Sequence, residues 1–403
     1  MREVFLDHQS ATPVLPEALA AMQPFFAECF GNPASLHRHG LRARDALATA
    51  REQIAAMIHA ESPESIIFTS GGTEAANLAV KGSAYANPRR GRHLVLTAIE
   101  HPAVLNSVKF LERHGFSATR VGVDAQGFVD PGAVRAALTD QTILICVHHA
   151  NHDLGTIEPI REIGRSARER GIPLFVDATA SAGWLPVDVQ DMRASLLSLA
   201  PHRFYGPKGV GVLYRHRGAR LAGVIHGGAQ EGGRRAGTEN VPAIVGAGVA
   251  AAAAARELAG RIAHTARLQK QLWEGLRSRI AFLRLNGPEP GPCRLSTTLN
   301  FHVAGVEGEG LQLLLDSRGV AVASGPTCAS KASKISPVLT AIGLDETQAR
   351  GSLLLSLGKD NTPEEIGYAL GIIAEAVAWQ RAMSPLWEDF QRSRPGGAGD
   401  PSA

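Results

Sequence analysis

A chain of 403 residues, 44% hydrophobic and 20% charged, is long enough for two domains sharing one connected core and has the composition of a soluble globular protein. Its 41 Lys and Arg against 38 Asp and Glu leave a net charge of +3, too small to argue for nucleic acid or an anionic membrane surface as partner. The four cysteines, Cys29, Cys146, Cys293 and Cys328, are scattered without metal-ligand spacing and suit a reducing cytoplasm better than a disulfide scaffold.

The first residues, Met1 to Asp7, carry no apolar signal core. Short apolar runs then alternate with helical patterns, which predicts an α/β fold around a largely parallel sheet. Strands are expected at 65–69, 93–97, 118–123, 142–148, 174–177, 196–200 and 211–214, with helices at 41–58, 73–84, 103–113, 131–138 and 160–170. A long helix over 242–283 contains the alanine run Ile244 to Ala255, which is too short to span a bilayer. The segments 296–303, 310–318, 320–323 and 363–380 read as a smaller α+β domain, and the Gly/Pro-rich tail 394–403 is expected to be disordered. The domain division is 15–255 for the large domain, 1–14 and 256–390 for the small domain carrying the Cys328 loop, and 391–403 for a disordered tail. No internal repeat is present.

Several segments carry candidate chemistry. Thr69-Ser70-Gly71-Gly72-Thr73-Glu74 closes a strand and opens a helix, where small residues and free N–H groups suit either a bound phosphate or an ordinary N-cap. Glu100-His101-Pro102 follows the next strand, with His101 at a helix start. His148-His149-Ala150-Asn151-His152-Asp153 gathers histidines, but neighbours on a strand face opposite sides, so His148 and His149 cannot share one metal ion. Leu174-Phe175-Val176-Asp177 is an apolar strand ending in an acid, where α/β sheets bind ligands. Then come Pro201-His202-Arg203-Phe204-Tyr205-Gly206-Pro207-Lys208-Gly209 and the glycine-rich Gly227 to Asn240 with Ala236-Gly237-Thr238-Glu239-Asn240. Cys328 lies among small and polar residues with Lys331 and Lys334 nearby, a setting that lowers a thiol pKa, whereas a lone cysteine is more often inert. Ser352-Leu353-Leu354-Leu355-Ser356 ends the series.

In this order, from about Leu6 to about Ile373, these segments resemble the cysteine desulfurases, fold-type I pyridoxal-phosphate (PLP) enzymes. The resemblance implies a large α/β domain with a mainly parallel sheet and a smaller α+β domain. It implies PLP held by Gly72 and Thr73 at its phosphate, by Asn151 at its phenolic oxygen, by Asp177 at its ring nitrogen and by His202. His101 would stack on the ring and move protons, Thr238 would reach the phosphate of a partner subunit in a homodimer, and Cys328 would carry a persulfide drawn from L-cysteine for a sulfur-acceptor or scaffold protein. The departures fall in one pocket. Arg203 stands where the family has its Schiff-base lysine, and a guanidinium keeps its proton where an amine can lose one. Ala180 replaces a glutamine, Ala200 a phosphate-binding serine, and Leu354 the arginine that anchors the substrate carboxylate. His152 and Asp153 replace an asparagine and a glutamate. Lys208 is retained, but the family has that lysine in addition to the missing one.

Three readings follow: a working desulfurase with PLP bound non-covalently; a non-catalytic scaffold, regulator or persulfide carrier that partners an authentic desulfurase; and a pocket converted to another anion by Arg203, Thr73 and Thr238. The chemistry favours an impaired or repurposed member, in a cytoplasmic setting of sulfur mobilisation for iron–sulfur clusters or thiolated cofactors, with neither nucleic acid nor membrane as partner.

Overall fold

The computed structural model describes residues 2–323 and 335–392. Strands β1 (Val4–Phe5), β2 (Ile66–Thr69), β3 (His93–Thr97), β4 (Ser117–Val121), β5 (Thr142–His148), β6 (Leu174–Asp177), β7 (Leu196–Leu199), β8 (Gly211–Arg215), β9 (Leu283–Asn286), β10 (Thr298–Val303), β11 (Val320–Ala321) and β12 (Ser352–Ser356) make three sheets. The large one has the order β2-β8-β7-β6-β5-β3-β4. Only β8 runs against its neighbours in this sheet; the pairs from β7 to β4 are parallel. Parallel strands need helical crossovers, so both faces are covered and every residue of β5, β6 and β7 is buried. That double burial explains why these strands read as continuous apolar runs.

One hydrophobic cluster lies on one face, under helix Arg38–Met57 and the first half of helix Val241–Arg279; a second lies on the other, under helices Gly72–Ala86 and Pro102–Glu112. The long helix has an apolar stretch that meets the length and composition of a membrane span, but 56% of that stretch is buried inside the protein. Its small residues serve close packing: a Cβ on Gly248 would meet the Cα of Ala50 at 2.6 Å. A third cluster surrounds the antiparallel sheet β12-β10-β9 and the helix Pro363–Met383. A small fourth cluster packs Ile99 and Leu154 against Val338, Leu339 and Ile342.

The expected elements are present with shifted ends. The strand expected at 118–123 is Ser117–Val121, and the one expected at 320–323 is only Val320–Ala321. The long helix stops at Arg279 instead of running to 283, because Ile280 is extended and Phe282 adopts a positive φ of 57°, after which β9 begins. The Ser352–Ser356 segment, read in the sequence as a motif, is a buried strand. Short helices at Pro16–Met22, Pro24–Ala27, Pro337–Ala341, Glu346–Arg350 and Pro385–Arg392 lacked enough periodicity to be anticipated. The tail 393–403 lies outside the described residues.

Candidate active site

The C-terminal ends of β2, β3, β5, β6 and β7 share one edge of the large sheet, the edge where α/β folds bind ligands. Helix Gly72–Ala86 starts there without a side-chain cap, so its first N–H groups remain available to an anion. Glycine is required: a Cβ on Gly72 would lie 2.9 Å from Thr179 Cγ2 and 3.3 Å from Ala200 Cβ. The backbone crosses equally tightly beneath, since a Cβ on Gly211 would lie 2.2 Å from the carbonyl carbon of Gly71. Thr73 is exposed beside this opening.

Asp177 ends β6 and is 4% exposed. Its Oδ1 accepts from the Thr179 N–H at 3.0 Å and from the Ser198 hydroxyl at 2.9 Å. Those bonds fix the carboxylate plane, and among the described residues Oδ2 takes no hydrogen bond. A protonated ring nitrogen is the type of donor such a fixed, buried carboxylate accepts.

His101 caps helix Pro102–Glu112 by accepting from Ala103 N–H on Nδ1 at 3.1 Å, which leaves the ring proton on Nε2. Burial, then the neighbouring His152, hold its pKa down at about 4; Arg203 adds to this and Asp177 opposes it. His152 meets His101 edge to face, with ring centroids 5.1 Å apart, and is lowered to about 3 by burial and then Arg203. Asp153 is raised to about 6 by burial and receives the Ser336 hydroxyl at 2.5 Å. Asn151 is fully buried and spends its amide on the turn: it donates to Ile99 O at 3.1 Å and accepts from the N–H groups of Asp153 and Leu154.

Arg203 sits among these groups. Its charge acts on Asp7, His101, His152, Asp153 and His202. The backbone at this point is held firmly. Arg203 O accepts from Trp184 Nε1 at 2.9 Å. The Thr12 hydroxyl donates to His202 O at 3.0 Å and accepts from Tyr205 N–H at 2.7 Å, where Tyr205 adopts a positive φ of 73°. His202 is half-buried and lowered to about 4 by burial and then Arg203. Lys208, further along the turn, is exposed. Ala180 and Ala200 are buried, and Leu354 is 4% exposed in β12, bridged through two backbone hydrogen bonds to Ala323.

Below His101, a charged cluster anchors the site. His148 Nδ1 lies 2.9 Å from Glu100 Oε1, and its Nε2 lies 3.2 Å from Glu158 Oε1. Glu100 also accepts from the Thr97 hydroxyl and His148 N–H. Burial opposes a charge on His148, but the two carboxylates outweigh it and raise the pKa to about 10. His149 turns instead to the Ser181 hydroxyl at 2.9 Å, as alternation along a strand requires. No metal-binding group of His, Cys, Asp or Glu occurs among the described residues.

The glycine-rich segment is pinned to the cradle by ion pairs. Arg235 reaches Glu74 at 3.0 Å, and Arg51 reaches Glu231 at 2.9 Å while Glu231 also accepts from Phe68 N–H. Thr238 is exposed on this segment and is not packed among the other site residues. Cys328, with Lys331 and Lys334, lies outside the described residues. The sequence reading missed the His148 cluster, both ion pairs and the Thr12 and Trp184 supports. Only Glu74, Glu100 and His148 in the quoted motifs signalled any of these, because pairing across 161 residues, as between Glu74 and Arg235, leaves no local pattern.

The residues on this edge fit a phosphorylated pyridine cofactor held without a covalent link: an open helix start, a fixed acid and a neutral imidazole converge, and the lysine is absent. A family model described as aminotransferase class-V matches residues 4–368. A Clostridium botulinum protein named cysteine desulfurase IscS is 44% identical over 393 residues, covering 98% of this chain and 99% of that one. The protein of the same name from Dictyoglomus turgidum is 43% identical over 390 residues, covering 97% and 98%. A solved NifS-like protein superposes with a TM-score of 0.87 at 34% identity, covering 94% of this chain and 100% of that one. SspA, solved in complex with cysteine, superposes with a TM-score of 0.77 at 36% identity, covering 89% and 99%.

Proposed function

The chain belongs to the aminotransferase class-V family, with the fold of fold-type I PLP-dependent enzymes, and from that premise we propose that it mobilises sulfur on Cys328 without the rapid L-cysteine turnover of a desulfurase. The observation that carries this reading is Arg203, a permanent cation among His101, His152 and Asp153 where the chemistry needs an amine. PLP, when bound, supplies an electron sink for bonds at the α-carbon of an amino acid.

Gly72 and Thr73 hold the phosphate, Asp177 the ring nitrogen, and His101 presents a neutral imidazole with its proton on Nε2. Asn151 and His202 line the ring by resemblance. Arg203 has no deprotonated form at working pH, so it neither tethers the cofactor nor shuttles a substrate proton. Leu354 offers no bidentate fork to a carboxylate. Loss of a nucleophile that works with partners costs several orders of magnitude in rate.

Sulfur transfer to Cys328 needs none of the lost groups. The Cys328 thiolate attacks the terminal sulfur of a donor persulfide; a new S–S bond forms, the donor S–S bond breaks, and the donor leaves as a thiolate, so no external oxidant is required. A reducing cytoplasm keeps Cys328 available for this exchange. We take Thr238, exposed on this chain, to serve the partner subunit's phosphate site in a homodimer.

The test is alanine formation from L-cysteine with added PLP and a reductant, run beside Cys328→Ala and an ordinary desulfurase. Little or no alanine, together with a gain of one sulfur on wild-type protein but not on Cys328→Ala after incubation with a persulfidated donor, supports the proposal. Turnover matching the ordinary desulfurase overturns it.

A further inference from the structure

At the opposite strand ends, away from the candidate active site, a groove of about 1020 Å³ opens where β8 finishes beside the start of β7. Arg90, Arg168, Arg193, Arg215 and Arg217 line it together with His216. These five guanidinium groups come from four stretches of chain that the fold brings together, in a protein whose net charge is only +3. Among the described residues none of them is in an ion pair. Their hydrogen bonds go to backbone oxygens: Arg90 to Gly171, and Arg215 to Ala219 at 2.8 Å and Arg217 at 3.3 Å. The two carboxylates lining the groove are engaged locally, Glu61 by the Tyr214 hydroxyl at 2.7 Å and Glu64 by Ser62.

We propose that this groove docks an acidic segment of a partner protein. Arginine forks match carboxylates in pairs, and the half-buried Pro173 in the lining offers an apolar contact between the acids. A nucleic acid fits less well. The only ring of Phe, Tyr or Trp in the lining, Tyr214, is 1% exposed and cannot stack a base. Because the groove and the candidate active site occupy opposite ends of the same strands, a docked partner leaves the Asp177 edge open. The proposal rests on charge and shape alone and is independent of the sulfur chemistry.

The experiment measures anisotropy of a fluorescein-labelled Glu-rich peptide with interspersed Leu against the full chain, with a Lys/Leu peptide and single-stranded oligo-dT as comparators. Binding of the acidic peptide should weaken about tenfold between about 50 mM and about 300 mM salt. The double variant Arg168→Glu/Arg217→Glu should lose at least about tenfold in affinity, the neutral Arg168→Gln/Arg217→Gln should fall between, and Arg42→Glu on the exposed surface of helix Arg38–Met57 should bind like wild type. A matching melting temperature for all variants separates loss of docking from loss of fold. Absent binding, binding unaffected by the groove reversals, or a preference for oligo-dT overturns the proposal.

Discussion

The two halves of the candidate active site differ in chemical character. In the proposed site Gly72, Asp177 and His101 would hold a phosphate, a ring nitrogen and a ring face, and each is fixed by a specific contact: a helix start, two hydrogen bonds, a backbone cap. The half that would make and break bonds is cationic at Arg203 and apolar at Ala180, Ala200 and Leu354. The residues of the first half follow β2, β3 and β6, with Ser198 of β7 bracing Asp177, while those of the second hang on the β7 turn, on β12 and just beyond β6. The contrast is open to direct test.

The largest expected effect lies beneath the retained half. His148→Leu removes the cation between Glu100 and Glu158 and leaves two buried carboxylates uncompensated, which should cost about 3–5 kcal/mol in urea unfolding. The same pair has a pH signature. The folded pKa of His148, about 10, lies above its ordinary value of 6.5, so its stabilisation is complete below about pH 6.5 and is lost as pH rises through about 10. His101, His149, His152 and His202 are held at about 4, about 4, about 3 and about 4, so the unfolded chain takes up more protons as pH falls below 6.5, and stability drops towards pH 4. Asp153, raised to about 6, and Asp7, also raised, work against that acid loss but are outnumbered by the histidines, since His8 and His302 are held at about 4 as well. Equilibrium unfolding across pH in wild type and His148→Leu checks both limbs; an alkaline limb that survives in His148→Leu would contradict the assignment.

Next in size is Gly72→Val. The added side chain collides with Thr179 and Ala200 at the helix start, which should cost about 1–3 kcal/mol of stability, and PLP affinity measured by fluorescence quenching at a temperature where the variant is folded should fall about tenfold or more. A variant that binds PLP as wild type does would remove the phosphate cradle from the retained half.

How much of this was legible in the sequence depends on what each feature rests on. The parallel sheet was readable because doubly buried strands read as near-continuous apolar runs, as in Ile143 to Val147 within Thr142–His148. The site motifs were readable because glycine at a tight crossing and an acid at a strand end are local necessities. The His148 cluster was not, since its carboxylates lie 48 residues before and 10 residues after it, and histidine spacing alone suggested only a metal to be dismissed. The end of the long helix was missed because Ile280 and Phe282 are apolar and continue the pattern, while the backbone there turns extended and then left-handed.

The rebuilt half is addressed by Arg203→Lys. Lysine here should retain PLP through dialysis with an absorbance band that wild type lacks, yet L-cysteine turnover should remain well short of an ordinary desulfurase because Leu354 and Ala180 are unchanged. Adding Leu354→Arg should raise kcat/KM by about tenfold over the single variant by restoring a carboxylate fork. Full rescue by Arg203→Lys alone would mean that one residue, and not a remodelled half, separates this chain from its relatives.

The smallest expected effect shows whether the halves communicate. Arg203 lowers the His101 pKa, but burial and His152 outrank it. In Arg203→Met the His101 pKa, followed by imidazole proton NMR, should therefore rise from about 4 while staying below 6.5. His202, for which Arg203 is the largest electrostatic contribution after burial, should rise alongside it. A His101 pKa that does not move would mean that the guanidinium is screened from the ring, and the neutral imidazole would then be a property of the retained half alone. A rise in both would show that the arginine, though useless as a nucleophile, enforces the protonation state of the histidine opposite Asp177, so that the two halves remain one electrostatic unit after their chemistry has separated.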